Sequence, residues 1–449
     1  MKFLKNLLII FCFLVLTISV KAQSEIIATA NGQNFTSQDL PSGTPEQPNV
    51  REAFERINKA IAEERTELLA EQIAGLLFKD EAAARKTTVE NLIEAEMQKR
   101  IKAPTETEIK AIFDANASQV GNKTLAEIRP QIVDFLNRQA RPKALSEFVT
   151  ALKLKHKVVL GKDVNAPNLL ATDVLATVNL KPITVQNFDE KAGETLYEMK
   201  ADIYDAAYDY LDQMIYSTLV SVEAKSLDLR PEELIAREIS NKLKDYTDEE
   251  RENLESTFKQ KLYLKYKAKI LLKEPVPFTQ KISTDDDPSR GLATAPVTVV
   301  MFSDFQCPAC SATRPVLQKV LAQYGTKIRF VVRDFPLTTI HNNSFKAAQA
   351  ADAANAQGKF FEYIELLYNN QSSLDIDSLK KFATQIGLNR KQFDADLDSG
   401  KFIDEVKKDM LDGTNYGISS TPTVFINGVK VRQLSAGAFK KAIERALKK

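Results

Sequence analysis

A pair of cysteines separated by two residues, Cys307 and Cys310, constrains this chain more than any other feature. It follows directly on a run of β-branched and apolar residues, 297–302, which is typical of a buried strand. Pro308 stands where the first residue of a helix is expected, and apolar residues at helical spacing continue over 311–324. We therefore expect a strand, a turn that carries the thiols, and a helix that begins at the pair.

The start of a helix favours a thiolate over a thiol. Its unpaired amides and its dipole stabilise negative charge, so the pKa of Cys307 should be lowered. We predict that Cys307 is the nucleophile and that Cys310, one turn further, resolves the mixed disulfide. The third cysteine of the 449 residues is Cys12, in a segment predicted to be removed. The pair therefore suits thiol chemistry better than the cross-linking of a fold.

The sequence after the pair predicts an α/β unit. Residues 327–333 have the pattern of a second strand, and residues 342–410 are mostly helical in pattern. Asn427 and Gly428 separate two further strand-like runs, which is the strongest short signal for a hairpin. A final amphipathic helix is predicted over 436–447.

The segment from about residue 285 to residue 449 resembles the DsbA-like branch of the thioredoxin superfamily. The resemblance rests on Phe-Ser-Asp-Phe-Gln-Cys-Pro-Ala-Cys at 302–310, on the helical insertion, and on Ser-Thr-Pro-Thr at 420–423. It implies a thioredoxin fold with an inserted helical subdomain, and no cofactor is expected. It also implies that Pro422 is cis and faces the cysteines, and that the backbone of Thr421 pairs with bound substrate.

Two structural roles compete with redox chemistry for the cysteine pair. One is a buried structural disulfide, and the other is half of a zinc site. Zinc needs two more ligands, yet the chain has only two histidines, His156 and His341, and no second cysteine pair. The motif context and the shortage of ligands favour redox chemistry and predict no metal.

Two positions depart from the resemblance. Thioredoxin-like enzymes often have an acidic residue six positions before the first cysteine, where this chain has Met301. Asp304 is nearer to the pair and could substitute for the missing acid, but we expect it to be a solvated turn residue. Strongly oxidising members carry a histidine between the cysteines, where this chain has Ala309 after Pro308. No imidazolium supports the thiolate, so we predict a less oxidising pair. His341 precedes a predicted helix and is expected only to support its cap.

The overall charge indicates no polyanionic partner. The chain has 61 basic and 60 acidic residues, which gives a net charge of +1. This balance argues against binding to nucleic acid or to anionic membranes through a global field.

The N-terminus is typical of a secretory signal. Lys2 and Lys5 precede an uncharged run over 7–20, which is short for a membrane span, and Val20-Lys21-Ala22 offers a cleavage site. We predict a signal peptide over 1–22, no membrane span after its removal, and export to the bacterial periplasm. That oxidising compartment suits disulfide chemistry.

An internal repeat precedes the cysteine domain. Residues 28–36 match residues 176–184, and the dipeptide Glu81-Ala82 matches Glu223-Ala224, at similar offsets and in the same order. This preserved order predicts a duplicated unit.

A long helix is predicted in each copy, over 50–84 and over 188–227, after a short strand and turn. Helices this long cannot bury their apolar stripes alone, so they need each other or a second chain. The sequence therefore leaves open a homodimer in which two protomers exchange these helical regions. Most of the stripe is expected to be core, and a client cradle is the alternative for an exposed part.

The order of these repeat motifs resembles the N-terminal chaperone region of SurA-like periplasmic foldases, over roughly residues 25–275. The resemblance implies binding of unfolded clients, or dimerisation. Neither histidine lies in a parvulin pattern, so prolyl isomerase activity is not inferred.

The predicted organisation is a multidomain α+β chain. SurA-like helical repeats cover 23–160 and 170–275, a Pro- and Asp-rich linker covers 276–290, and a DsbA-like α/β thioredoxin domain covers 291–449.

These patterns predict a secreted protein thiol–disulfide oxidoreductase that acts on unfolded or misoxidised client proteins and is recycled by a redox partner. Isomerase and oxidase both fit. Thr421 before Pro422 resembles the isomerase and reductase members, which slightly favours isomerase. The alternatives are a holdase chaperone in which the thioredoxin domain is secondary, and a dimerisation module that feeds a dedicated redox partner.

Overall fold

The computed structural model describes residues 25–43, 49–121 and 123–448. The predicted signal peptide lies outside these residues. A search of the described helices finds none with the length and apolar character of a membrane span. By its internal contacts the chain divides into two compact units. Among the described residues, one unit combines those from 25 to 67 with Glu198–Pro275, and the other combines those from 68 to 197 with those from 276 to 448.

The N-terminal part of the chain is mostly helical, with short strands between the helices. Its elements are β1 (Ile26–Ala30), β2 (Gln33–Thr36), α1 (Val50–Ala84), α2 (Val89–Arg100), α3 (Glu106–Ala115), α4 (Ala117–Val120), α5 (Leu125–Lys155), β3 (Val158–Leu160), β4 (Val174–Val178), β5 (Lys181–Thr184), α6 (Val185–Ser226), α7 (Pro231–Glu238), α8 (Asp248–Lys265) and β6 (Lys269–Ile270). Helices α1 and α6 correspond to the two long helices that the sequence predicts.

Threonine side chains define the starts of two of these helices. Thr105 and Thr124 accept hydrogen bonds from the backbone N–H groups of Glu108 and Glu127. The two glutamates in return accept hydrogen bonds from the threonine N–H groups, at 2.7 Å and 2.6 Å. Reciprocal capping of this kind satisfies amides that lack a helical partner, and it fixes where α3 and α5 begin.

In the first unit, the hairpin β1–β2 pairs with β6 in the order β2-β1-β6. Both pairings are antiparallel. Residues of this sheet share one buried core with α6, to which Leu211, Ile215 and Leu219 contribute. These three belong to the apolar stripe predicted on that helix, so for them core packing explains the stripe.

The second unit contains a sheet of the same design, in the order β3-β4-β5. The first strand of each hairpin has a register irregularity at the same place, between Ile26 and Ala28 in one and between Val174 and Ala176 in the other. In the first sheet, the hairpin β1–β2 of the first predicted repeat pairs with β6, which follows α8 of the second repeat. In the second sheet, the hairpin β4–β5 of the second repeat pairs with β3, which follows α5 of the first. The two predicted repeats thus exchange strands within one chain.

Buried glutamates lie at the matching positions of the two copies. Glu81 accepts a hydrogen bond from Lys155 Nζ at 2.7 Å, and one of its oxygens lies 3.0 Å from His156 Nε2. Burial opposes its charge, but the hydrogen bonds from Lys155 and His156 prevail and lower the pKa of Glu81 to about 2. Glu223 likewise accepts a hydrogen bond from Lys265, at 2.5 Å. The matched Glu-Ala dipeptides of the sequence thus mark equivalent buried ion pairs.

The C-terminal part of the chain has alternating strands and helices. Its elements are β7 (Ser289–Arg290), β8 (Val297–Ser303), α9 (Pro308–Leu321), β9 (Ile328–Asp334), α10 (Ser344–Asn355), α11 (Phe360–Asn369), α12 (Ile376–Gln385), α13 (Arg390–Asp398), α14 (Ile403–Asn415), β10 (Thr423–Ile426), β11 (Val429–Lys430) and α15 (Ala436–Leu447). The strand, helix and hairpin positions agree with those predicted from the sequence.

These strands form one sheet in the order β11-β10-β8-β9-β7. The central pair β8 and β9 is parallel over Val297–Ser303, and the other pairings are antiparallel. Helices α10–α14 lie in sequence between β9 and β10, as the predicted helical insertion requires. The chain therefore combines a helical N-terminal region with an α/β thioredoxin-like domain, as predicted.

Part of the predicted linker belongs to this domain instead. Ser289 and Arg290 form β7, which pairs with β9. The backbone N–H of Gln280 donates to the carbonyl of Gly428 at 2.8 Å, and Asp287 is buried. The acidic run therefore does not act as a solvated spacer over its whole length, because long-range pairing with β9 and the hairpin turn holds it.

Candidate active site

Cys307 occupies the N-cap position of α9, at the end of the turn that follows β8. Pro308 lies in the first turn of the helix, where its missing N–H costs nothing. Cys307 is 6 % exposed, whereas Pro308 and Ala309 beside it are exposed. The sulfur of Cys307 therefore lies just under the surface that these two neighbours form.

Hydrogen-bond donors stabilise the thiolate form of Cys307. They lower its pKa from 9.0 to about 5, and the thiol of Cys310 contributes most. Burial acts in the opposite direction, while the backbone N–H groups of Cys310 and Ala309 lower the pKa further. Those two amides belong to the first turn of α9, so the helix start stabilises negative charge at this sulfur.

Cys310 lies one turn further along α9 and has no exposed surface. Burial raises the pKa of its thiol far above the ordinary value. Both cysteines are free thiols in this structure. At neutral pH the pair therefore holds one ionised sulfur near the surface and one protonated sulfur beneath it.

The loop that leads into β10 lies against Cys307. The Cys307 thiol donates to the carbonyl oxygen of Thr421, with 3.5 Å between Sγ and the oxygen. The peptide bond between Thr421 and Pro422 is cis, as the resemblance implied. The structure thus brings both residues next to the cysteine pair, and their contact with a substrate strand stays a prediction.

Asp304 is not the solvated turn residue that we expected. Its side chain is buried, and it accepts hydrogen bonds from the backbone N–H groups of Gln306 at 2.7 Å and Leu337 at 2.8 Å. His341 Nδ1 lies 2.8 Å from the same carboxylate. The carboxylate therefore connects the turn that carries Cys307 to the loop after β9, because it supplies acceptors to amides of both.

His341 consequently does more than support a helix cap. Its carbonyl does accept a hydrogen bond from the N–H of Ser344, at 3.2 Å, at the start of α10. Its ring, however, pairs with Asp304 and not with the helix end. The expectation was incomplete because the partner lies 37 residues earlier in the chain.

Gln371 is a residue of this site that the sequence analysis missed. Its side-chain Nε2 donates to the carbonyl of Phe305 at 3.0 Å and to that of Cys307 at 2.8 Å. It follows α11 in the helical insertion, more than sixty residues from the cysteines. No local pattern marks such a partner, since only the tertiary fold brings the two segments together.

Two hydroxyl groups lie behind Cys310. Ser303 Oγ and Tyr368 Oη are 2.5 Å apart, and both side chains are buried. Burial raises the pKa of Tyr368, and the charge of a Cys310 thiolate would raise it further. Met301, at the position where related enzymes often carry an acid, is buried in the apolar core. The polar groups that act on the inner thiol therefore include the backbone N–H of Asp304 and the hydroxyl of Ser303.

The arrangement is chemically suited to thiol–disulfide exchange. An ionised sulfur near the surface can attack a disulfide, and a low thiol pKa makes it a good leaving group from the mixed disulfide. Once it has lost its proton, the inner sulfur at the next helical turn can attack Cys307 Sγ in the mixed disulfide.

A family model described as "Thioredoxin" matches residues 283–445. The match covers the cysteine pair, the helical insertion and the loop at Pro422. Together with the sheet order, it identifies this part of the chain as a thioredoxin-like domain. The match begins at the acidic run that packs on β9, in agreement with the boundary in the structure.

Curated relatives match about a third of the chain. A protein named "Na(+)/H(+) antiporter NhaA 1" from Mycolicibacterium vanbaalenii is 35% identical over 151 residues, which is 33% of this chain and 24% of that protein. One named "Na(+)/H(+) antiporter NhaA" from Herminiimonas arsenicoxydans is 31% identical over 35% of this chain and 25% of its own length. The chain therefore spans about a quarter of the length of these relatives, and the antiporter name describes those whole proteins.

Solved structures also align with this part of the chain. BdbD from Bacillus subtilis is 23% identical, with a TM-score of 0.36, over 38% of this chain and 99% of that one. The protein alpha-DsbA1 from Wolbachia pipientis is 22% identical, with a TM-score of 0.33, over 37% of this chain and 95% of that one.

Proposed function

We propose that this protein is a thiol–disulfide oxidoreductase that acts on folding proteins, as an isomerase or an oxidase. The observation that carries the proposal is the unequal ionisation of the cysteine pair. The Cys307 pKa of about 5 gives a thiolate at neutral pH, and Cys310 remains protonated beneath it. A structural disulfide or an inert buried thiol does not require two sulfurs with such different pKa values.

In the reductive direction the Cys307 thiolate attacks one sulfur of a client disulfide. A Cys307–client disulfide forms, and the second client sulfur leaves as a thiolate. Cys310 then gives up its proton to the client thiolate already released and attacks Cys307 Sγ. The Cys307–Cys310 disulfide forms and the remaining client thiolate leaves, so the client gains two electrons and the pair loses two. The reverse sequence oxidises a client dithiol.

The state of Cys310 supports isomerisation over oxidation. A buried sulfur with a raised pKa is rarely ionised, so it attacks the mixed disulfide slowly. A long-lived mixed disulfide leaves time for a second client thiol to rearrange the bonding. Because Ala309 lies between the cysteines, no imidazolium lowers the pKa of Cys307 further.

The N-terminal region supplies client binding in this proposal. In the second unit, an apolar groove of about 400 Å³ lies along α3, α4 and α5, with Phe113, Ile132 and Phe135 among its lining side chains. Phe135 is 39% exposed although it is aromatic. An exposed apolar groove of this kind suits an unfolded chain, which carries the same kind of surface.

We further propose that the protein works in the periplasm, where a second redox protein recycles the cysteine pair. The support is the secretory pattern of residues 1–22 and the occurrence of client disulfides in oxidising compartments. Separation of the source cells into periplasmic, cytoplasmic and membrane fractions tests the location. We expect the protein in the periplasmic fraction, and its retention in the cytoplasm would contradict the proposal.

Trapping of the mixed disulfide tests the enzymatic proposal. The Cys310→Ser variant should accumulate a covalent complex with a scrambled-disulfide client, because the resolving thiol is missing. The Cys307→Ser variant is the matched control and should form none. Wild-type protein should restore activity to scrambled ribonuclease, and neither variant should match it. Equal trapping by both variants, or none by either, would overturn the assignment of the nucleophile.

A holdase chaperone is the second candidate, and the groove at Phe135 is the observation that favours it. We expect Phe135→Ser to weaken suppression of client aggregation while leaving disulfide exchange with a small peptide unchanged. Leu154→Ser, on the same helix but 86% exposed, is the matched control and should change neither activity. A Cys307→Ser variant that still suppresses aggregation would place the holdase role beside the redox role. A chain that suppresses no aggregation removes this candidate.

A further inference from the structure

A pair of buried hydroxyl groups connects the inner cysteine to the helical insertion. Ser303, the last residue of β8, hydrogen-bonds the Cys310 thiol through its hydroxyl. The oxygen of the same hydroxyl lies 2.5 Å from Tyr368 Oη, near the end of α11. All three side chains are buried. A chain of hydrogen bonds therefore leads from the inner sulfur through Ser303 to Tyr368.

The surroundings of these hydroxyls are apolar. Met301, two residues before Ser303, and Phe305, two residues after it, both belong to the buried core. A hydroxyl in such a place costs free energy unless it is hydrogen-bonded, whereas an apolar side chain would fill the same space without that cost. The two hydroxyls therefore give the inner sulfur a hydrogen-bonding partner that its apolar surroundings do not supply.

The hydrogens of the pair can satisfy both states of the Cys310 sulfur. A hydroxyl carries one hydrogen and two acceptor lone pairs. When Tyr368 donates to Ser303, the serine hydrogen is available to a Cys310 thiolate. When Cys310 is a thiol, its own hydrogen can be directed at Ser303 Oγ, and Ser303 can donate to Tyr368. Rotation of the hydroxyl hydrogens is therefore enough to follow the ionisation of the sulfur.

Tyr368 is held in place by contacts on several sides. Its ring packs edge-on against Phe305, with 5.4 Å between the ring centroids, and the guanidinium of Arg314 lies 5.2 Å from the ring centroid. Arg314 also forms an ion pair with Glu365, one turn earlier on α11. The Ser311 hydroxyl donates to the Tyr368 carbonyl at 3.4 Å. A donor that is fixed before the reaction needs little reorganisation when charge develops.

The second step of disulfide exchange needs such a donor. Cys310 attacks as a thiolate, and burial opposes that ionisation. The backbone N–H of Asp304 and the Ser303 hydroxyl act in the opposite direction. A hydrogen bond to a charged atom is stronger than one between neutral groups, and a surrounding of low dielectric strengthens it further. The effect of the serine hydroxyl is therefore greatest when the sulfur is ionised.

We propose that Ser303 is a catalytic residue of the resolving step, in which its hydroxyl donates a hydrogen bond to the Cys310 thiolate. Tyr368 is the positioning residue, because its donation to Ser303 keeps the serine hydrogen directed at the sulfur. This inference rests on the exchange chemistry proposed above. The Cys310 proton goes to the client thiolate already released, and the Cys310–Cys307 bond forms as the Cys307–client bond breaks. Both hydroxyls keep their own protons throughout.

Rapid mixing of the reduced full chain with oxidised glutathione separates the two steps. Acid quenching and mass spectrometry follow the Cys307–glutathione mixed disulfide, whose formation reports the first step and whose decay reports the second. Ser303→Ala should slow the decay roughly 10- to 100-fold, the effect of one hydrogen bond to a charged group, and should slow formation far less. Tyr368→Phe keeps the ring and removes only the hydroxyl, and it should also slow the decay.

Two further variants separate this role from packing. Ser303→Thr restores a hydroxyl and should recover most of the wild-type decay rate. Tyr363→Phe is the matched control, because Tyr363 is a buried tyrosine of the same helix whose hydroxyl donates elsewhere, to the Leu379 carbonyl at 2.9 Å. It should decay as wild type does. If Ser303→Ala fails to fold by circular dichroism, Tyr368→Phe and Ser303→Thr carry the test.

Decay at the wild-type rate in Ser303→Ala and Tyr368→Phe would overturn the inference. Equal slowing by Tyr363→Phe and Tyr368→Phe would overturn it too, because lost packing would then explain the effect. A mixed disulfide that forms in neither the wild type nor Cys310→Ser would refute the exchange chemistry itself. That result differs from an intermediate that forms and decays normally, which refutes only the role of the hydroxyls.

Discussion

The reduction potential of the cysteine pair should depend on pH with an unusually shallow slope. Reduction of a disulfide takes up two electrons, and the number of protons taken up depends on the pKa values of the thiols formed. The Cys307 pKa of about 5 means that this sulfur stays ionised above pH 5 in the reduced protein. Cys310 takes up a proton, because burial raises its pKa. One proton therefore accompanies two electrons across the neutral range.

The magnitude follows from this count. For a two-electron couple, a tenfold change in an equilibrium constant corresponds to about 30 mV. The potential should therefore fall by about 30 mV per pH unit between pH 6 and pH 8. If both thiols were protonated, the slope would be about 60 mV per unit. The sign of the slope follows from the lowered pKa of Cys307. Its thiolate stabilises the reduced pair above pH 5, and this stabilisation is lost as the pH falls through 5.

Equilibration of the full chain with glutathione redox buffers at pH 6, 7 and 8 measures this slope. The oxidised fraction is counted after acid quenching and alkylation of free thiols. The predicted total change across the range is about 60 mV. A total near 120 mV would refute the reasoning, because it would mean that Cys307 is protonated at neutral pH.

Three further outcomes are expected. The midpoint potential of the cysteine pair at pH 7 should lie between about −270 mV, the value of thioredoxin, and about −120 mV, the value of the strongest oxidant. The reason is that the Cys307 pKa of about 5 lies between the nucleophile pKa values of those two proteins. Titration with glutathione measures the potential, and a value at either limit would contradict the prediction. Asp304→Asn should destabilise the domain by about 1–3 kcal/mol in chemical denaturation, since buried N–H donors lose an acceptor, and an unchanged midpoint would contradict this. Glu81→Gln should cost about 1.5–3 kcal/mol in the same assay, because the buried carboxylate loses its charge-assisted hydrogen bonds, while Lys155 itself is largely exposed. A cost below that of exposed Glu63→Gln would contradict this.

Local patterns were enough to predict the elements that carry the chemistry. The β-branched run before Cys307, the proline after it, and the Asn-Gly turn at 427–428 each specify backbone conformation within a few residues. In the structure Asn427 and Gly428 both have positive φ, 46° and 79°, as a tight hairpin turn requires. The long helix over 50–84 could also be predicted from the sequence, because its apolar repeat extends over many turns.

The partners of these elements were not predictable, because they come from distant segments. Asp304 looks like any turn residue until the loop after β9 folds onto it. Asp287 looks like part of a solvated acidic linker until it packs beside Arg333 on β9. The strands β3 and β6 are only three and two residues long, so no periodic pattern could reveal that the repeats exchange them.

The central claim is that Cys307 is ionised at neutral pH because the Cys310 thiol, and after it the amides at the start of α9, stabilise its thiolate. The ultraviolet absorbance of that thiolate tests the claim most directly. Fully reduced wild-type protein is titrated from pH 3 to pH 9, with Cys307→Ser as the blank for all other groups. We predict a single thiolate step with its midpoint near pH 5, which is missing in the variant. A midpoint near 8.5, the value of an unperturbed cysteine, would contradict the account.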